Sequence, residues 1–213
     1  MKALRVIAQI DRALCRLYGL RREHRAPDFV TPQASDETTG ELLIRQTGEG
    51  ESAELELSIR LNSRLFERLG QALGAPNPIP HLATVGVAVE EVSHFRYVIE
   101  RARLLRGVSP FELELQGEID RFAVLYFWAL RGAARDLALF RELEKRCFGE
   151  FRPLPTVGPD LVSRYRDAHD IARRIVNGSL ARAVQRQTDP AELVARLRRL
   201  YHGSLAEKLS EAA

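Results

Sequence analysis

Glu91 and His94 stand three residues apart in the stretch Val87-Ala-Val-Glu-Glu-Val-Ser-His-Phe-Arg-Tyr97, which is otherwise mostly apolar. On a helix that spacing puts a carboxylate and an imidazole on one face, beside Val87 and Val98, with Glu90 as a second carboxylate one turn from His94. Beyond the corner Gly107-Val-Ser-Pro110, Glu114 and Glu118 stand four residues apart among Phe111, Leu115, Phe122 and Leu125. A charge held in an apolar stripe costs several kcal/mol unless something pairs with it. Three chemistries would satisfy the group. Glu91, His94, Glu114 and Glu118 could ligate iron, manganese or zinc, which accept carboxylate and imidazole donors. His94 and Glu118 could exchange protons, because imidazole titrates near neutrality. Or His94 is merely tethered to Glu118 or Asp120, while Arg96, Arg101, Arg121 and Glu114 make surface pairs.

No reaction class stands out among these. Ser93 points about 100° away from His94 on a helix and makes no dyad with it. The chain has no Gly-x-Ser-x-Gly, no glycine-rich dinucleotide fingerprint and no P-loop, so enzymatic activity stays an open question. A second cluster, Arg164, Tyr165, Arg166, His169 and Arg173, falls on one helical segment and has the composition of an anion-binding surface. A solvated helix face laced with i to i+4 pairs has the same composition.

The Glu-x-x-His of Glu91 and His94, with Glu114 or Glu118 on the next helix, resembles half of a ferritin-like di-iron carboxylate site. That resemblance implies four inward-facing helices and two such motifs. The chain holds one, so two subunits would each have to supply half a site. The words Glu-Glu-Val-Ser-His-Phe and Glu-Leu-Glu-Leu-Gln-Gly-Glu-Ile-Asp-Arg-Phe are also similar to a family of bacterial cytoplasmic proteins, over residues 85 to 125. No activity attaches to that family, and none transfers.

The 213 residues, 45% of them hydrophobic, suffice for one generous domain. Two distant cysteines, Cys15 and Cys147, signal neither a disulfide framework nor a zinc knuckle and favour a reducing, cytoplasmic setting. No run of apolar residues is long enough for a membrane span. The net charge of +3 is unevenly placed: residues 1–30 carry seven basic against three acidic side chains, and residues 152–213 eleven against seven. Basic ends offer a weak nucleic-acid or polyanion surface, or they neutralise the acidic middle. No basic block is interleaved with aromatics as single-strand binders require, so nucleic acid is the less favoured partner.

The elements that must position these groups are mainly helical. Apolar residues at three- and four-residue spacing predict an opening helix over 2–22, ending near Gly19. Residues 25–40 read as a loop. Alternation from Leu55 to Leu61, with Glu41 to Gln46 as partner, predicts a β-hairpin near residues 41–61. Asn62 caps a following helix, and His81 to Arg106 forms the long central one, closed by Gly107. Ser109-Pro-Phe-Glu112 has the form of a capping box that starts a helix through Trp128, with a break at Gly132. The short corner predicts that the two central helices are antiparallel neighbours. Further helices are expected from Asp160, weakened at Asn177-Gly178, and from Pro190.

The expected architecture is a mainly α (α+β minor) helical bundle around a central antiparallel helical hairpin. It is read as a single domain over 1–213: helix and β-hairpin in 1–80, central hairpin in 81–148 and C-terminal helices in 160–211. The functional expectation is a cytoplasmic interaction or regulatory module, working as a homo-oligomer or with a protein partner. The alternatives are a metal-binding helical protein and a polyanion binder.

Overall fold

A computed structural model describes residues 2–33, 40–48, 54–72, 79–130, 136–149, 151, 158–185 and 190–212. The fold is mainly α with a small three-stranded sheet, as the periodicities require. The chain falls into two compact units. The first holds residues 1–15 and 20–108, the second residues 16–19 and 109–213.

The first unit begins with helix α1 (Lys2–Tyr18), whose last turn is assigned to the second unit. Ala3, Val6, Ile7, Ile10 and Leu14 form its buried stripe. Gly19 ends the helix at φ +69°, the left-handed conformation that lets the amide of Leu20 reach the carbonyl of Cys15 at 2.9 Å. Residues 26–33 differ from the expected loop: a 3-10 turn (Ala26–Phe29) leads into strand β1 (Val30–Gln33). Its length of four residues and its proline hide it from a search for alternation. Only an edge strand tolerates Pro32, and that is where β1 lies.

Strands β2 (Gly40–Thr47) and β3 (Glu54–Asn62) form the antiparallel hairpin, with Ile44 opposite Leu57 and Leu42 opposite Ile59. β1 adds in parallel on the far side of β3, giving the order β1-β3-β2. An isolated hairpin is marginal in water, and this one rests on helix α3 (Leu82–Arg103). The contact is close at Gly40, where a Cβ would stand 3.1 Å from Val87 Cγ1 and 3.0 Å from Glu91 Cγ. Helix α2 (Ser63–Ala72) starts where Asn62 Oδ1 accepts from the amide of Leu65 at 2.8 Å, the cap its sequence predicts.

The central helix ends three residues before the expected boundary. Leu105 takes the left-handed conformation, at φ +52°, and the amide of Arg106 bonds the carbonyl of Arg101, so the stop lies ahead of Gly107.

In the second unit, α4 (Pro110–Leu130) starts on the predicted cap, with the amide of Glu112 donating to Ser109 Oγ at 3.1 Å. It packs on α5 (Leu137–Phe148) through Phe122, Tyr126, Phe140 and Phe148, and also along α6 (Pro159–Ile175). The expected weak point at Asn177-Gly178 is a π-helical turn (Val176–Leu180) between α6 and α7 (Ala181–Gln185). Helices α8 (Pro190–His202) and α9 (Leu205–Glu211) complete the unit, the latter opened by a full capping box of Ser204 and Glu207. The break predicted at Gly132 lies outside the described residues.

Candidate functional site

α3 is buried around most of its circumference, so its polar residues must be satisfied inside. His94 is 6% exposed and Glu91 7%, with His94 Nδ1 3.7 Å from Glu91 Oε2. That oxygen has no hydrogen-bond partner among the described residues. The spacing on α3 thus brings carboxylate and imidazole together in a nearly dry setting, pressed from one side by the Gly40 backbone.

Glu114 and Glu118 belong to the second unit. There Glu118 has two partners: Arg121 donates to its Oε2, and His169 Nδ1 lies 3.4 Å from its Oε1. Arg121 also donates to the carbonyl of Cys147 at 3.1 Å. Glu114 lies 4.0 Å from Arg164. The structure therefore joins residues from the two clusters that the sequence separated, because α4 packs along α6.

Of the arginine cluster on α6, His169 is drawn inward, with the Phe148 and Phe151 rings at 5.3 and 5.5 Å. Arg164 also stacks on Tyr165, Arg166 lies over the Phe151 ring, and Arg173 stands 3.9 Å from Glu144. Two of its three arginines thus already face a carboxylate within α4 or α5.

Other buried polar centres escape the spacing argument. In the first unit Arg96 Nε donates to Asp11 Oδ1, with both residues at most 2% exposed, and Arg96 Nη1 donates to the carbonyl of Arg21. Arg96 and Arg101 are buried instead of forming the surface pairs expected of them, and Arg101 donates to the Tyr97 hydroxyl. In the second unit Asp120, fully buried, accepts from the Tyr18 hydroxyl and, at 2.6 Å, from Gln116 Nε2. Tyr18 stacks on Tyr201, and Arg198 and His202 reach the carbonyls of residues 16–18 at the end of α1. Burial, and then the Asp120 carboxylate, push the Tyr18 phenol well above its ordinary value. It stays a neutral donor.

Neither thiol is an activated nucleophile. Burial raises Cys15, and it pushes Cys147 up to about 11 against the partial opposition of Arg121. A thiol raised from 9.0 to about 11 has a thiolate fraction about a hundredfold lower at pH 8. Iodoacetamide at pH 8 is expected to label Cys147 about a hundred times more slowly in the folded chain than in denaturant. The sign on stability follows: the folded state holds a proton that the unfolded thiol gives up first, so this contribution is complete below pH 9 and is lost as pH rises through 11. Mass-spectrometric labelling rates and melting temperatures from pH 8 to 11 check both statements.

Among the described residues the chain therefore offers a buried carboxylate–imidazole pair in the first unit and a half-buried one in the second, without an activated thiol beside them. No helix among the described residues is long and apolar enough to cross a membrane. No family model, curated protein or solved structure matches the chain.

Proposed function

We propose that the chain is an interaction or regulatory module that works as a homodimer, two copies joining antiparallel along strand β2. The observation behind this reading is an eight-residue edge strand whose order of residues is complementary to itself. β2 lies at one edge of the sheet, and Ile44 on its apolar face is 44% exposed. Such an edge presents unpaired amides and carbonyls to any second strand. The opposite edge, β1, is blunted by its four-residue length and Pro32.

Setting Leu43 of two copies opposite each other puts Glu41 of each against Arg45 of the other, and Leu42 against Ile44. Opposite charges and paired aliphatic side chains both favour that register. Within one copy Glu41 and Arg45 already face Arg60 at 3.7 Å and Glu56 at 3.3 Å, but these exposed pairs are weak and leave both charges available. The two free thiols support a reducing, cytoplasmic setting.

Sedimentation equilibrium tests the reading. Wild type is expected to dimerise, and Arg45→Glu and Glu41→Arg each to weaken dimerisation about tenfold or more. An equimolar mixture of the two variants should recover it, since each then supplies the charge the other needs. A monomeric wild type, or a dimer indifferent to both changes, would contradict it.

The buried Glu91 oxygen beside His94 supports the metal reading. Iron, manganese or zinc held by this pair would need further donors. Glu114 and Glu118, the candidates from the sequence, face arginines in their own unit, and those pairings compete with a metal. Elemental analysis of protein purified without a chelating tag decides it. Near-stoichiometric metal that disappears in Glu91→Ala and His94→Ala supports the site, and metal-free wild type refutes it.

A further inference from the structure

The outward stripe of α1 is made by Arg5, Ala8, Gln9 and Arg12, which recur at i, i+3, i+4 and i+7 and so share one face. The 3-10 turn at Ala26–Phe29 brings Arg25, Pro27 and Asp28 to the same place, and together these residues line an open cleft of about 570 Å³. That volume is within the usual range for small-molecule sites, roughly 300–1,000 Å³. Three guanidinium groups and one carboxylate share it. Some arginines of this unit are matched, Arg96 by Asp11, Arg103 by Glu100 and Arg60 by Glu41, whereas among the described residues Arg22, Arg68 and Arg106 stand singly on the surface; the cleft differs in gathering three such groups in one place. Among the described residues Arg5, Arg12 and Arg25 have no carboxylate within 4.0 Å, and Asp28 pairs with none of them.

Like charges gathered on one cleft repel each other, and a multiply charged anion relieves that repulsion. Arginine forks also fit phosphate oxygens two at a time. Arg5 and Arg12 sit two turns apart, about 10 Å along the helix, a span that flexible arginine arms can close around two linked phosphates. Leu4, 36% exposed, and Pro27 supply apolar walls, while Asp28 is placed to accept from a hydroxyl or amine. We propose that this cleft binds a small organic diphosphate of the nucleotide class, its phosphates on Arg5, Arg12 and Arg25 and its organic body against Leu4 and Pro27. The cleft stands on residues that the β2 reading does not use.

Calorimetric titration with ADP, without magnesium, tests it on the full chain. ADP is expected to bind, pyrophosphate to displace it, and adenosine to fail. Arg12→Gln and Arg25→Gln should each weaken ADP at least about tenfold, as loss of a charged hydrogen bond does. These side chains are exposed or half-exposed, so both variants should keep the wild-type far-UV spectrum and melting temperature. Absence of ADP binding at millimolar concentration, equal affinity for adenosine, indifference to both substitutions, or retention of an oligonucleotide alone would each overturn the proposal.

Discussion

Asp11→Ala is expected to destabilise the chain by roughly 3–5 kcal/mol, the cost of leaving a buried charge without its partner. Asp11 and Arg96 are 1% and 2% exposed, so water cannot replace the lost carboxylate. Among the described residues Arg96 would keep the Arg21 carbonyl at 3.3 Å, and its Nη2 already lacks a hydrogen bond there. Arg96→Met removes the other half and should cost a comparable amount, because Asp11 is then the stranded charge. The double change Asp11→Leu with Arg96→Met should recover most of the loss, since a buried ion pair exchanged for packed apolar groups is often neutral or better. Urea melts of wild type, Asp11→Leu, Arg96→Met and the double variant close a cycle that should be strongly non-additive. Additive losses would mean that the two side chains act separately.

Asp120→Ala is the second large effect, about 2–5 kcal/mol, because it strands two neutral donors at roughly 1–3 kcal/mol each. The Tyr18 hydroxyl and the Gln116 amide both point at Oδ1, inside a fully buried environment. Tyr18→Phe removes a single donor and leaves the Gln116 bond in place, so it should cost clearly less, about 1–2 kcal/mol. Asp120→Asn keeps a carbonyl acceptor and should fall between them. Equal costs for Tyr18→Phe and Asp120→Ala would show that the phenol, and not the carboxylate, is the centre of the network. Denaturant midpoints and Tyr fluorescence follow both.

Local signals explain what the sequence made legible. Period-two alternation in Leu55–Leu61, the Asn62 side chain ahead of α2 and Ser109 ahead of α4 each act within four residues, and each stands where its chemistry predicts. The Glu91–His94 pair is local too, one helical turn. The long-range partners were not legible. Asp11 finds Arg96 across 85 residues, and Tyr18 finds Asp120 across 102. A clue was present, however: Asp11 interrupts the apolar stripe of Ile7 and Leu14, as Asp120 interrupts that of Ile119 and Ala123. An acid on a buried face announces that it has a partner without saying which. Glu118 shows the same limit, since α6 packing decides that its imidazole is His169.

Hydrogen–deuterium exchange of residues 40–47 across protein concentration tests the proposed assembly most directly. Joining at the β2 edge predicts that its outward amides gain protection as concentration rises, in step with the dimer mass, and lose it in Arg45→Glu. Exchange in β2 that stays fast and independent of concentration, while the mass doubles, would contradict an assembly built on this strand.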